Sequence, residues 1–224
     1  MKVVILCGGL GSRLAEETKL IPKPMIKIGK IPIVHHIIKF YQSYGFKDFI
    51  LATGYKKEIL EKFYKNEKRI KCVYTGNGTL TGGRLLRLKK YFKKNEIFSV
   101  TYGDGLTNQN LKKLYLFHKK HKKIATLTAV RPPARFGELN ILGNKVQKFQ
   151  EKPQLKNNWI NGGFFIFNYK IFNFISGDKI MLEREPFNKL TKKKQLMAYK
   201  HYGFWQCMDT MRDKKVLSDL WKEK

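Results

Sequence analysis

A chain of 224 residues with 42% hydrophobic and 13% aromatic content has the material for one large α/β domain and excludes global disorder. The formal net charge of +29 fits either a polyanionic partner, such as nucleic acid or an acidic membrane, or plain abundance of lysine on solvated faces. Only eight of the 46 basic residues are Arg, the bidentate reader of bases, and the lysines fall in scattered pairs such as Lys89-Lys90 and Lys119-Lys120. This favours solvated faces, with small anionic substrates as a partial cause.

Residues 3–6 read as a short buried strand rather than a signal peptide, because the apolar run ends in Cys7-Gly8-Gly9 and Arg13. Pro32 opens a helix with Val34, Ile37, Ile38, Tyr41 and Tyr44 at helical spacing, and Gly45 stops it. Residues 49–52 and 71–74 are strands around a short helix at 58–64. A turn-rich segment over 75–83 leads into a basic amphipathic helix over 84–92. Residues 97–101 form a strand that stops at Gly103-Asp104-Gly105. Leu111, Leu114, Tyr115 and His118 share a helical face. Residues 124–130 are a strand broken by Pro132-Pro133, and 146–150 and 164–167 are further strands. A helix over 211–221 follows Thr210, with Asp213 at capping-box distance.

This alternation predicts a Rossmann-like three-layer α/β sandwich in one domain over 1–224, its mixed sheet mostly parallel and covered on both faces. Ligands of such sheets collect beyond the carboxyl ends of the strands, where both the first glycine turn and Asp104 fall. There is no run of about 18 apolar residues to span a membrane. Cys7, Cys72 and Cys207 show neither metal spacing nor a disulfide framework, which points to a reducing compartment.

Four constellations carry chemistry. The first is Leu6-Cys7-Gly8-Gly9-Leu10-Gly11-Ser12-Arg13, followed by Lys23 in Pro22-Lys23-Pro24. Glycines let main-chain N–H groups approach phosphates, and Arg13 and Lys23 carry charge to neutralise a triphosphate. The same glycines suit a purely structural turn. Leu14, standing where a third glycine belongs, excludes a dinucleotide fingerprint, and the missing Gly-Lys-Ser/Thr excludes a P-loop. The second is Tyr102-Gly103-Asp104-Gly105, with Asp209 as a further carboxylate just before the last helix. Mg²⁺ favours one or two carboxylates with substrate phosphates and water, while an Asx-turn and an N-cap are the structural alternatives. The third is Glu151-Lys152-Pro153 with Asn161-Gly162-Gly163, a hold for a substrate phosphate and its hydroxyls or else a charged turn. The fourth, Thr79-Leu80-Thr81-Gly82-Gly83-Arg84, frames a base and a phosphate or is a surface loop.

In this order and combination the pieces resemble the sugar-phosphate nucleotidyltransferases, and within them the glucose-1-phosphate cytidylyltransferases, over nearly the whole chain. The likeness runs through Cys-Gly-Gly-Leu-Gly-Ser-Arg-Leu from Cys7, Pro-Lys-Pro-Met from Pro22, Thr-Gly-Gly-Arg-Leu from Thr81 and Thr-Tyr-Gly-Asp-Gly from Thr101. It continues through Arg-Phe-Gly from Arg135, Phe-Gln-Glu-Lys-Pro from Phe149, Trp-Ile-Asn-Gly-Gly-Phe-Phe from Trp159 and Glu-Arg-Glu-Pro from Glu183. It ends with Gly-Phe-Trp-Gln-Cys-Met-Asp-Thr-Met-Arg-Asp from Gly203. Cys7 and Ser12 stand where the family commonly has Ala and Thr, and the chain is shortened between Tyr64 and Thr75.

The resemblance implies a nucleotidyltransferase (GT-A-like) fold and Mg²⁺-dependent coupling of CTP to a sugar 1-phosphate, best matched by glucose 1-phosphate. The products would be a CDP-sugar and pyrophosphate, in the cytoplasm, for polysaccharide assembly. It implies that Leu6, Cys7, Gly8, Gly9, Gly11, Ser12, Arg13, Lys23, Thr79, Arg84 and Gly103 hold the nucleotide. Asp104 and Asp209 share Mg²⁺, and Glu151, Lys152, Asn161 and Gly162 face the acceptor. Arg13, Lys23, Asp104 and Lys152 are the expected catalytic set. A homo-oligomer is implied, with neither nucleic acid nor membrane as partner. The acceptor phosphate is already an anionic nucleophile, so His35, His36, His118, His121 and His201 are read as packing or surface groups. Open alternatives are another triphosphate (dTTP, UTP or GTP), another acceptor (a heptose phosphate or a non-sugar phosphate), a basic nucleic-acid-binding protein, or an inactive paralogue.

Overall fold

A computed structural model describes residues 1–132, 137–151 and 158–222. The first strand, β1 (Val3–Cys7), is buried at every position, as suits a strand covered on both faces. Its turn leads to α1 (Ala15–Thr18) and then to a small antiparallel pair, β2 (Lys27–Ile28) and β3 (Ile31–Pro32). The next helix, α2 (Ile33–Ser43), has Pro32 as its N-cap and ends before Gly45, whose φ of 84° only glycine adopts freely. Strand β4 (Phe49–Thr53), helix α3 (Lys57–Phe63) and strand β5 (Ile70–Tyr74) complete the first half.

Helix α4 (Thr81–Arg87) begins three residues earlier than the sequence pattern places it, and 3₁₀ geometry follows over Lys89–Tyr91. Gly82 and Gly83 are poor helix formers, yet both donate their N–H to Ile180 O, at 2.9 and 3.2 Å. A Cβ on Gly83 would lie 2.3 Å from Asp178 O. Close packing against residues 178–180 thus overrides propensity.

Then come β6 (Ile97–Tyr102), β7 (Gly105–Thr107), α5 (Leu111–His121) and β8 (Ala125–Val130). A hairpin of β9 (Glu138–Leu142) and β10 (Lys145–Gln150) precedes the long β11 (Ile160–Asn168). The chain ends through α6 (Glu185–Lys192), β12 (Leu196–His201), β13 (Trp205–Cys207) and α7 (Met211–Lys222). The capping box of α7 is present: Thr210 N donates to Asp213 Oδ2 at 2.8 Å, and Asp213 N donates to Thr210 Oγ1 at 3.2 Å.

Seven strands form one sheet in the order β12-β8-β11-β6-β1-β4-β5, in which β11 alone runs against its neighbours. The expected mostly parallel mixed sheet is therefore observed. Val3 and Ile5 pack with α2 and α7 on one face, through Ile37, Tyr41 and Leu217. Val4 and Leu6 pack with α4 and α6 on the other, through Leu85, Phe187 and Leu190. The carboxyl ends of β1, β4 and β6 meet at one edge, and the reversed β11 brings its amino end, Asn161 and Gly162, to that same edge. Among the described residues no helix is long and apolar enough to cross a membrane.

Candidate active site

The turn after β1 is shaped from behind. Gly11 adopts φ 66°, and a Cβ there would lie 2.8 Å from Thr18 Cγ2 and 3.0 Å from Lys23 Cβ. Gly8 is held by Arg84, which is only 3% exposed. The guanidinium of Arg84 donates to Gly8 O at 2.6 Å, Thr53 O at 3.1 Å, Thr75 Oγ1 at 2.8 Å and Gly76 O at 2.7 Å. One cation so joins the segments that follow β1, β4 and β5. A Cβ on Gly8 would fall 2.0 Å from Arg84 Nη1, which leaves room for glycine alone.

A cavity of about 360 Å³ opens in front of this turn. Every residue expected to hold the nucleotide lines it: Leu6, Cys7, Gly8, Gly9, Gly11, Ser12, Arg13, Lys23, Thr79, Arg84 and Gly103, with Asp104 beside them. Arg84 lines the wall while Nη1 and Nη2 donate to protein acceptors. It braces the glycine turn and also stands on the cavity wall, where the resemblance places a nucleotide contact.

The two carboxylates arrive from distant sequence. Strand β13 pairs antiparallel with β7, Cys207 opposite Gly105, and Met208 N donates to Asp104 O at 2.8 Å. This seats Asp209 beside Asp104. Lys23 Nζ bridges them, 2.5 Å from Asp104 Oδ2 and 2.7 Å from Asp209 Oδ1. Arg13 Nη1 lies 2.7 Å from Asp209 Oδ2. Burial disfavours the charged form of Asp209, but Lys23 and Arg13 outweigh it and hold the carboxyl below its ordinary range. Burial likewise disfavours the Lys23 ammonium, and the two aspartates outweigh it and raise its pKa. The neighbouring Cys207 thiol is pushed up to about 12, by burial first and then by Asp209 and Asp104, so it is no nucleophile at neutral pH.

The carboxylate oxygens converge on one cationic position, a donor set that suits a hard cation. Among the described residues there is no group of three or more His, Cys, Asp or Glu able to hold a metal. A metal at this place would complete its shell from phosphates and water.

On the acceptor side, Asn161 Nδ2 donates to Tyr102 Oη at 3.3 Å, and Trp205 Nε1 donates to Gly162 O at 2.7 Å. Both residues are thereby tied to the same edge. Glu151 follows β10 at the foot of the hairpin, near Gly137. Lys152 and the Arg135-Phe136 part of the motif at Arg135 lie outside the described residues. The structure adds Tyr102, Thr81 and Met181 to the cavity wall. Tyr102 was signalled only by its place before Gly103-Asp104.

His36 Nε2 meets Ile28 O at 2.8 Å, and His118 Nδ1 and His121 Nε2 meet Thr126 Oγ1 at 2.8 and 2.7 Å. These are packing contacts, as expected.

An α/β sheet that gathers a glycine turn, two cations and two carboxylates at its carboxyl edge defines a phosphate-handling enzyme of the nucleotide-binding kind. The nucleotidyl transferase family model matches residues 2–211, and the chain belongs to that family. It is 44% identical over 248 aligned positions to the glucose-1-phosphate cytidylyltransferase of Salmonella typhimurium, with 100% of this chain and 96% of that protein covered. It is 31% identical over 230 positions to the mannose-1-phosphate guanyltransferase of Saccharomyces cerevisiae, covering 97% of this chain and 63% of that one. In fold it is similar to HddC from Yersinia pseudotuberculosis complexed with GMP-PN, at a TM-score of 0.78 and 24% identity, covering 98% of this chain and 99% of that one. The resemblance read from the motifs is borne out.

Proposed function

We propose that this chain couples CTP to glucose 1-phosphate, yielding CDP-glucose and pyrophosphate, with Mg²⁺ as the metal. The observation that carries this reading is the convergence of Asp104, Asp209, Lys23 and Arg13 in front of the glycine turn. The identity to the Salmonella cytidylyltransferase over the full chain supports the choice of CTP and glucose 1-phosphate.

Main-chain groups of Gly8, Gly9, Gly11 and Ser12 meet the nucleotide phosphates, with Thr79 and Gly103 alongside. Arg13 and Lys23 neutralise charge that grows on the leaving pyrophosphate. An oxygen of the acceptor phosphate attacks the α-phosphorus, a new P–O bond forms, and the bond from the α-phosphorus to the bridging oxygen breaks. No side chain has to remove a proton, because the attacking oxygen is already anionic. Asp104 and Asp209 would hold Mg²⁺, which would supply electrostatic stabilisation of the phosphates. Asn161 and Gly162 orient the sugar phosphate, with Glu151 and Lys152 assigned there by the family motif. Arg84 acts from behind, as the brace that keeps the glycine turn open.

The chain works as one catalytic domain. A cytoplasmic setting is supported by its three free cysteines. A homo-oligomer is supported by one face of the β9–β10 hairpin, where Leu139, Ile141, Val146 and Phe149 are more than half exposed, at 52, 55, 56 and 62%.

The test is a panel of nucleoside triphosphates against phosphorylated acceptors, with products identified by mass. CDP-glucose is expected as the dominant product. A different base or sugar in the best product would correct the substrates, and no product from any pair would refute the reading.

A further inference from the structure

Glu183 lies just before α6, in the Glu183-Arg184-Glu185-Pro186 motif to which the proposed chemistry gives no task. Its carboxylate receives two hydroxyl groups. Thr81 Oγ1, at the start of α4, donates to Oε2 at 2.7 Å, and the Tyr102 hydroxyl donates to Oε1. Tyr102 ends β6 two residues before Asp104, and its own oxygen receives Asn161 Nδ2 from β11 at 3.3 Å. One carboxylate therefore links the nucleotide loop, the turn that carries Asp104 and the strand that carries Asn161.

The direction of each proton in this chain is fixed. A carboxylate only accepts, so both hydroxyls must donate to Glu183. The Tyr102 hydroxyl has one hydrogen, and it is given to Glu183 Oε1. With its hydrogen committed, Tyr102 serves Asn161 as an acceptor, so the group facing it must be the amide nitrogen. The amide oxygen of Asn161 is taken by Gly163 N at 2.9 Å. Thr81 Oγ1 is held in turn by Leu182 N at 3.0 Å. The tyrosine ring is pressed onto the strand: a Cβ on Gly163, where φ is 76°, would lie 2.5 Å from Tyr102 Cδ2. With oxygen and one N–H engaged, the second Nδ2 hydrogen is the remaining donor of Asn161.

We infer that Glu183, acting through Tyr102, is a positioning residue that locks the Asn161 amide in one orientation, so that the acceptor meets a donor there and not an acceptor. This rests on the reading that Asn161 faces the sugar phosphate. The acceptor oxygen that Glu183 presents to Tyr102 sets the polarity of the relay without touching substrate.

Three substitutions test it. Tyr102→Phe keeps the ring and removes both hydrogen bonds, Glu183→Ala removes the anchor, and Glu183→Gln keeps an oxygen that still accepts from Tyr102. Tyr102→Phe and Glu183→Ala are expected to raise KM for glucose 1-phosphate about tenfold, with KM for CTP changed less than about twofold, and Glu183→Gln to restore most of the difference. Unchanged constants, or equal losses for both substrates, would overturn the inference. Should Glu183→Ala fail to fold, Tyr102→Phe decides alone.

A readout separate from turnover is hydrogen exchange of the Asn161 side-chain amide in ligand-free protein, followed by NMR. Slower exchange in the wild type than in Tyr102→Phe supports the lock, and equal rates overturn it. If the wild type makes no nucleotide sugar, the proposed function fails and this comparison still decides the positioning.

Discussion

Lys23 Nζ lies 2.7 Å from Asp209 Oδ1, across 186 residues of sequence. The same nitrogen is 2.5 Å from Asp104 Oδ2, so one ammonium balances two carboxylates at the mouth of the nucleotide cavity. The pair is held by partly buried groups, where electrostatic interactions are screened less than at the surface.

The first prediction concerns the carboxylates. Asp104→Ala and Asp209→Ala should each lower kcat by about two to three orders of magnitude while the circular dichroism spectrum stays native. Steady-state kinetics at saturating CTP checks this. Full activity in either variant would remove that carboxylate from the metal assignment.

Arg84→Ala should behave differently. Its guanidinium is buried and donates to three carbonyls and a hydroxyl, so its removal takes the donor from Gly76 O, leaves Gly8 O only the 3.5 Å contact from Tyr55 N, and should cost about 2–4 kcal/mol of stability. Urea denaturation measures the loss. A variant of native stability with weakened CTP binding would instead make direct nucleotide contact the main task of Arg84.

Arg13 is the contrasting case, since its side chain is 67% exposed. An exposed ion pair contributes little to folding. Arg13→Ala should raise KM for CTP about tenfold and leave the thermal midpoint within about a degree of wild type. A large drop in the midpoint would contradict the account.

The ion pair also predicts a pH window. The Asp209 pKa is lowered in the folded protein, so its contribution is present above the unfolded carboxyl value and is lost as pH falls through the folded one. The Lys23 pKa is raised, so its contribution is present below the unfolded lysine value and is lost as pH rises through the folded one. In metal-free protein the stability difference between wild type and Asp209→Asn should therefore hold through neutral pH and close in strong acid. Denaturation midpoints across pH check it. A difference that persists at the acid end would show that the ion pair is not its source.

The sheet and the front of the cavity were legible in the sequence because their signals are local. The apolar run of β1, the glycine turn and the Gly103-Asp104-Gly105 stop each lie within a few residues. The joining of Asp104 to Asp209 depends on pairing β7 with β13, two three-residue strands too short to show a period. Strand β12 escaped notice because it is a half-buried edge strand with exposed Ala198 and Lys200, so it lacks the apolar run of its neighbours. The early start of α4 followed from contacts with residues 178–180, which no local pattern contains. The burial of Arg84 is invisible in its letter, and Glu183 stands in the Glu-Arg-Glu-Pro motif with no role attached to it.

The central claim is that the edge holding Lys23, Asp104 and Asp209 performs nucleotidyl transfer. It is tested most directly by measuring pyrophosphate and CDP-glucose together from CTP and glucose 1-phosphate, in wild type and in Asp209→Ala. The account predicts equimolar products that require both acceptor and Mg²⁺, and their loss in the variant. Pyrophosphate released without acceptor, or undiminished formation of both products by Asp209→Ala, would contradict it.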